Sequence, residues 1–224
     1  MNIKEFKALV EKAIKQSALD PVKAYLLEVQ NRLPDKNDVN RIAGSPIGVS
    51  DSSWPVYKNQ KMFHLFTLDL NDTEDLKKYF PMNTRAISLF ISDIIHNEAF
   101  SPGNDQTKLL KLTDADVSTG CITDGPEYDE DFRSPEESTF AVHEILFPAE
   151  VFENFDCYDD LSQPIQDVLD NLEWTIAGGK PIWLQGKEHH DDVLVQFDEL
   201  FVDINLGDGG VMYVYEDTAF WQCH

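Results

Sequence analysis

The hexapeptide Ile42-Ala43-Gly44-Ser45-Pro46-Ile47 returns, with one residue inserted, as Ile176-Ala177-Gly178-Gly179-Lys180-Pro181-Ile182. The spacing behind each copy returns too. Phe66, Leu68 and Leu70 lie 20, 22 and 24 residues beyond Pro46, while Val202, Ile204 and Leu206 lie 21, 23 and 25 beyond Pro181. A second apolar run follows in each case, 86–91 and 211–215. Apolar residues at period two make a strand with one face to bury. Two such units need their sheet faces covered, and a chain of 224 residues can do so within itself. The expectation is an α+β, β-rich fold of two similar β units, an internal duplication, at about 41–100 and 174–224. An N-terminal helical segment would fill 1–40. An acidic connecting region would join the units into a single domain, 41–224.

Local patterns fill in the frame. Phe6, Leu9, Val10, Ala13 and Ile14 recur at helical spacing. Asp20-Pro21 offers an N-cap and a proline at the first helical position, and Val22, Tyr25, Leu26, Val29 and Leu33 predict a second helix ending at Pro34. Phe63–Leu70 alternates, with Phe66, Leu68 and Leu70 on one face and Leu65, Thr67 and Asp69 on the other. Residues 85–95 and 141–152 are further strand candidates. Gln163-Pro164 opens a short helix carrying Ile165, Val168, Leu169 and Leu172 on one side. Turn formers and acids across 101–139 predict long surface loops.

Gly207-Asp208-Gly209-Gly210 resembles a phosphate loop, but such a loop needs a helix behind it. Val211-Met212-Tyr213-Val214-Tyr215 is β-branched and aromatic, so the glycines predict the turn of a hairpin between strands 201–206 and 211–215.

This turn, the stretch Gly178-Gly179-Lys180-Pro181-Ile182-Trp183-Leu184-Gln185, Trp54-Pro55 with Phe63, the Leu68-Asp69-Leu70 strand and Ala219-Phe220-Trp221-Gln222 together resemble the bacterial YwqG-like family. The resemblance spans roughly 41–224. Val49 stands where a second proline is usual, Thr67 stands where the family has glutamine, and the linker 188–206 is short. The resemblance implies a duplicated, β-rich α+β fold, with no established activity and no catalytic residues to carry over. Some family members occur beside secreted-toxin genes.

Charge narrows the function classes. The net charge is −23, and residues 1–100 hold 13 acids and 13 bases. All of the excess therefore lies in 101–224. It is densest at 114–173, where 18 acids face one base, Arg133. Nucleic acid and anionic membranes would both be repelled. A basic protein partner is the expected ligand, with Asp129, Glu130, Asp131, Asp156, Asp159 and Asp160 as its contacts. An immunity protein that neutralises a toxin is one concrete form. The alternative is a small-ligand binder or enzyme with a cleft between the two units, lined by Trp54, Trp183 and Trp221.

Other clusters weigh against chemistry. His189-His190-Asp191-Asp192 carries metal-ligating residue types, but adjacent strand residues point to opposite faces. Asp114–Gly120 has calcium-loop character with its glycine one position late. Cys223 with His224, or Cys157 with His143, would need to meet in space to form a nucleophile pair. Three dispersed cysteines form neither a disulfide framework nor a zinc site. No metal and no cofactor are expected. The charged, interrupted N-terminus lacks a signal-peptide pattern, so a cytoplasmic location is expected.

Overall fold

Asn2 opens the chain's first helix through a reciprocal cap. Its side chain accepts the Glu5 N–H at 3.0 Å, and the Glu5 carboxylate accepts the Asn2 N–H at 3.1 Å. The helix, α1 (Ile3–Ile14), buries Phe6, Val10 and Ala13. The computed structural model describes residues 1–92, 106–121, 123, 125–126, 136–152, 161–172, 175–185, 193–204, 206 and 208–223.

The expected second helix is instead a strand, β1 (Val22–Gln30). Tyr25 and Leu27 face one core, while Ala24 and Leu26 face another. A strand buried on both faces reads as an unbroken apolar run, and its residues also satisfy a helical spacing. Leu33 lies beyond this strand and is 71% exposed rather than part of an apolar face.

The remaining elements follow in order. They are β2 (Arg41–Ile42), the small hairpin β3 (Val56–Tyr57) and β4 (Gln60–Lys61), then β5 (Phe63–Asp69), β6 (Thr84–Ile91), β7 (Thr107–Thr113) and α2 (Asp114–Ser118). After these come β8 (Ser138–Phe147), α3 (Gln163–Asp170), β9 (Ile176–Ala177), β10 (Val195–Asp198), α4 (Glu199–Val202), β11 (Val211–Val214) and β12 (Ala219–Gln222). β7 and α2 replace part of the loop region expected over 101–139. The basic and apolar Thr107–Thr113 stretch was masked by its polar surroundings. Both faces of β5 are buried, not one.

Ten strands form one antiparallel sheet in the order β12-β11-β10-β9-β1-β8-β2-β5-β6-β7. The sheet curls until its edges nearly meet. The Ala219 N–H of β12 donates to Thr107 Oγ1 of β7 at 3.2 Å, and Lys111 of β7 pairs with Glu216 at 2.8 Å. The interior holds Phe66, Leu68, Phe197, Met212 and Val214 with Tyr25 and Leu27. Outside, α1 and α3 cover β1 and β8. Among the described residues no helix is long and apolar enough to cross a membrane.

The 201–206 strand expected before the glycine turn is not formed. Asp198 ends β10 by accepting the N–H groups of Leu200 and Phe201, which starts α4. The partners of β11 are β10 and β12. Gly210 is required for spacing, because a Cβ there would lie 2.3 Å from the Leu206 carbonyl oxygen. No helix follows it, since β11 begins at Val211.

The order β2-β5-β6-β7 matches β9-β10-β11-β12 outward from the central β8–β1 pair. Ala43 and Gly178 follow β2 and β9, and both have left-handed φ angles, 54° and 70°. Each donates its N–H at 2.8 Å, to the carbonyl oxygens of Leu65 and Leu194. On this register Ala43-Gly44-Ser45-Pro46-Ile47 falls on Gly178-Gly179-Lys180-Pro181-Ile182 with no insertion. The counterpart of Phe66-Thr67 is Val195-Gln196, as their partners Ile42-Arg41 and Ala177-Ile176 require.

Beneath the first of these turns, His64 is fully enclosed. Its Nδ1 bonds the Ala43 carbonyl oxygen and its Nε2 bonds Thr67 Oγ1, both at 2.9 Å; Thr67 Oγ1 in turn bonds Ser88 Oγ at 2.7 Å. Burial holds the His64 pKa down, to about 4. The unfolded chain, with a His pKa near 6.5, therefore binds this proton first as pH falls. The His64 contribution to stability is full above pH ~6.5 and is lost progressively down to about pH 4. Lowering the pH from ~7 to ~5 removes about 2 kcal/mol through this group. Urea unfolding of the wild type and His64→Gln at those two pH values measures it. The acid-induced loss should be about 2 kcal/mol smaller in the variant.

Candidate functional site

β2 has only two residues, and before Arg41 the chain leaves the ladder. Asn40 spans the resulting gap between β8 and β5. Its Oδ1 accepts the Asp69 N–H at 2.7 Å, and its carbonyl oxygen accepts the Thr139 hydroxyl at 2.6 Å. Arg41 fixes the loop before and after. It is 2% exposed, and its guanidinium donates to the carbonyl oxygens of Asp35, Asp38 and Ser45 and to Cys121 Sγ. A buried guanidinium with its donors satisfied by main-chain oxygens pins the whole 35–45 excursion.

The gap forms a polar pocket of about 370 Å³. Two ion pairs stand in its wall. Arg85 grips Asp69 in a fork, Nε to Oδ1 at 2.8 Å and Nη2 to Oδ2 at 2.5 Å. This pair raises the Arg85 pKa, with the hydrogen bond to Asp69 as the main cause. Arg32 grips Asp38 the same way at 2.5 and 3.0 Å. The Arg32 bond, aided by the Asp35 N–H, holds the Asp38 carboxyl below its usual range. Asn40 Nδ2 donates to Asp72 at 2.7 Å on the rim.

On its other side Arg32 borders a second concavity of about 590 Å³, where β1 ends and β8 begins. The short α4 shapes it. Phe201 turns into the barrel mouth and packs on Phe140, Phe66 and Phe197 with ring centroids 5.4, 6.1 and 5.7 Å apart. Its neighbour Leu200 must then point outward, and it is 76% exposed. Val29 and Leu33 face the same groove, and Glu136, Glu137 and Asp203 bring carboxylates to its lining.

The three tryptophans expected to line one cleft lie apart. Trp54 sits against Phe90, its indole N–H donating to the Met62 carbonyl oxygen at 2.8 Å. Trp183 stacks near Tyr213 and Phe220 in a separate cluster. Trp221 packs on the barrel core. Neither concavity is lined by any of them. Asp129, Glu130, Asp131, Asp156, Asp159 and Asp160 lie outside the described residues, as do Cys157, His189–Asp192 and His224.

Asp114–Gly120, whose late glycine weighs against a calcium loop, opens as a capped helix where polar loop was expected. Asp116 accepts the Thr113 N–H and hydroxyl at 2.7 Å, so its carboxylate is engaged in starting α2. His143 bonds Glu28 across the β1–β8 ladder at 2.8 Å. Among the described residues no group of three or more His, Cys, Asp or Glu is placed to hold a metal ion.

Arg41, Asn40, the Asp69–Arg85 pair and the outward Leu33 and Leu200 were not singled out from sequence. A lone arginine or leucine carries no local mark of its role. Compared with known proteins, the chain matches no family model and no curated protein.

Asp69→Asn breaks the fork and leaves the partly buried Arg85 guanidinium to the exposed Asp114 carboxylate, 3.5 Å away. The expected cost is about 2 kcal/mol of stability, read as a lower urea midpoint with an unchanged slope. Asp72→Asn, on the exposed rim, should stay within about 0.5 kcal/mol of wild type.

Proposed function

We propose that this protein is a non-catalytic binding module that recognises a basic protein partner, with a toxin-neutralising immunity protein as one concrete form. The observation that carries the reading is the placement of charge. The entire excess of −23 lies in residues 101–224. Five basic side chains among the described residues sit in ion pairs of 2.9 Å or less. Lys23 pairs with Asp75 and Glu144, Arg32 with Asp38, Lys61 with Asp51, Arg85 with Asp69 and Lys111 with Glu216. Residues 101–224 set 28 acids against 5 bases, so the field reaching a cationic partner is negative.

We also propose that the chain is a divergent YwqG-like protein whose two four-strand runs arose by duplication. The matched strand order and the two left-handed turns at Ala43 and Gly178 support this. A second functional reading, a small-ligand binder, is favoured by the polar pocket of about 370 Å³ with its facing guanidinium and carboxylate pairs.

The test uses a fluorescent peptide alternating Lys and Ser, mixed by stopped flow with the full chain. Exposed charges are screened beyond ~8 Å at physiological salt, so association should slow steeply as salt rises while dissociation changes less. Replacing Asp129, Glu130, Asp131, Asp156, Asp159 and Asp160 by their amides should slow association at low salt and leave the unfolding midpoint nearly unchanged. Equal association rates for both proteins at low salt would reduce these six acids to a solvated face.

A further inference from the structure

We infer that the groove formed by Val29, Leu33 and Leu200 is a docking site for a basic segment of a partner protein carrying apolar side chains. The inference rests on the basic-partner reading above and gives it a place on the surface. Three large apolar side chains from two distant stretches of the sequence are exposed here together: Val29 at 37%, Leu33 at 71% and Leu200 at 76%. Nothing in the local fold asks for leucine at either of the last two. Leu33 follows the end of β1, and at position 200 α4 needs only the backbone N–H that Asp198 caps. Apolar surface left in water costs about 25 cal/mol per Å², so its grouping in one concave site is a feature of binding surfaces. The floor is already rigid, because Phe201 is clamped among Phe66, Phe140 and Phe197. A preformed groove avoids part of the ordering cost of association.

Charge selects the occupant. Glu136, Glu137 and Asp203 line the groove, and none of them has an ion pair among the described residues. Among the described residues Arg32 is the one cation in the lining, and Asp38 already neutralises it with two hydrogen bonds. The net field of the groove is therefore negative. An acidic segment would be repelled, and so would a second copy of a chain carrying −23. A segment with Leu- or Phe-type side chains between Lys or Arg residues matches both the apolar walls and the acidic rim.

The experiment compares the full chain with a Leu33→Ser/Leu200→Ser variant by fluorescence anisotropy. Both positions are exposed, and an unchanged circular dichroism spectrum checks the fold. Three short peptides serve as probes, alternating Lys with Leu, Lys with Ser, and Glu with Leu. The Lys–Leu peptide should bind the wild type and lose about tenfold or more in affinity on the double substitution, as truncation of buried apolar anchors does. The Lys–Ser peptide should bind both proteins alike. Hydrogen exchange should slow at 29–33 and 200–203 when the Lys–Leu peptide is bound.

Equal affinity of both proteins for the Lys–Leu peptide would overturn the groove as the docking site and leave the basic-partner reading standing. Glu–Leu binding as tight as Lys–Leu would overturn the charge selection. Self-association of the wild type that the double substitution abolishes would assign the groove to a second copy instead. Failure of both Lys peptides at low salt would overturn the basic-partner reading and the docking site with it.

Discussion

The nine-pair ladder between β1 and β8 is the joint on which both halves of the barrel hang. β1 also pairs with β9 on its other edge, and β8 pairs with β2. The strand runs that build each half therefore start from this one antiparallel pair. β1 must be apolar on both faces to serve it. Tyr25 and Leu27 fill the interior, while Ala24 and Leu26 receive the helical cover outside. Ala24 is small for a reason: a Cβ at Gly179 would already stand 3.0 Å from its methyl group. A larger residue at 24 would push the β9 turn off the sheet.

That demand explains which parts of the fold were legible. α1 and α3 carry one apolar stripe each, and Asn2 with Glu5 or Pro164 marks where each begins. β5 and β6 alternate or run apolar over a strand's length. β1 defeated the same reading because two buried faces erase the period-two signal, and the residues left over imitate a helix. The stretch 201–206 failed in the opposite direction. Val202, Ile204 and Leu206 are all buried and alternate, yet Asp198 caps a helical turn in front of them. Alternation showed burial correctly and backbone conformation wrongly. The candidate site was least legible, because Leu33 fitted the apolar face of an expected helix and Leu200 carries no local mark of its exposure beside the buried Phe201.

The two halves solve one packing problem with different polar chemistry. Under the Ala43 turn, Thr67 reaches His64 and Ser88. At the matching place under the Gly178 turn, Gln196 Oε1 accepts the Ile182 N–H at 2.8 Å, and the Tyr213 hydroxyl donates to the Ile182 carbonyl oxygen at 2.8 Å. Burial raises the Tyr213 pKa, so the phenol stays protonated and keeps donating. The longer glutamine reaches the far end of its turn at Ile182, while histidine and threonine in series hold the near end of theirs at Ala43. It leaves one cost, since Gln196 Nε2 is buried and has no hydrogen-bond partner among the described residues.

The near-meeting of β7 and β12 bears on how the molecule keeps to itself. An open ten-stranded sheet would end in two rows of unpaired amides, each a template for a neighbour's strand. Here those rows face one another. The seam is bridged by Thr107 Oγ1 rather than by a backbone ladder, with Lys111 and Glu216 as an exposed clasp. Such a clasp contributes little energy, so the ring's first local opening belongs at this seam. A mild disturbance there would uncover sticky edges long before the β1–β8 joint parted. Resistance to aggregation in this fold thus draws on contacts as slight as the Thr107 hydroxyl and the Lys111–Glu216 pair.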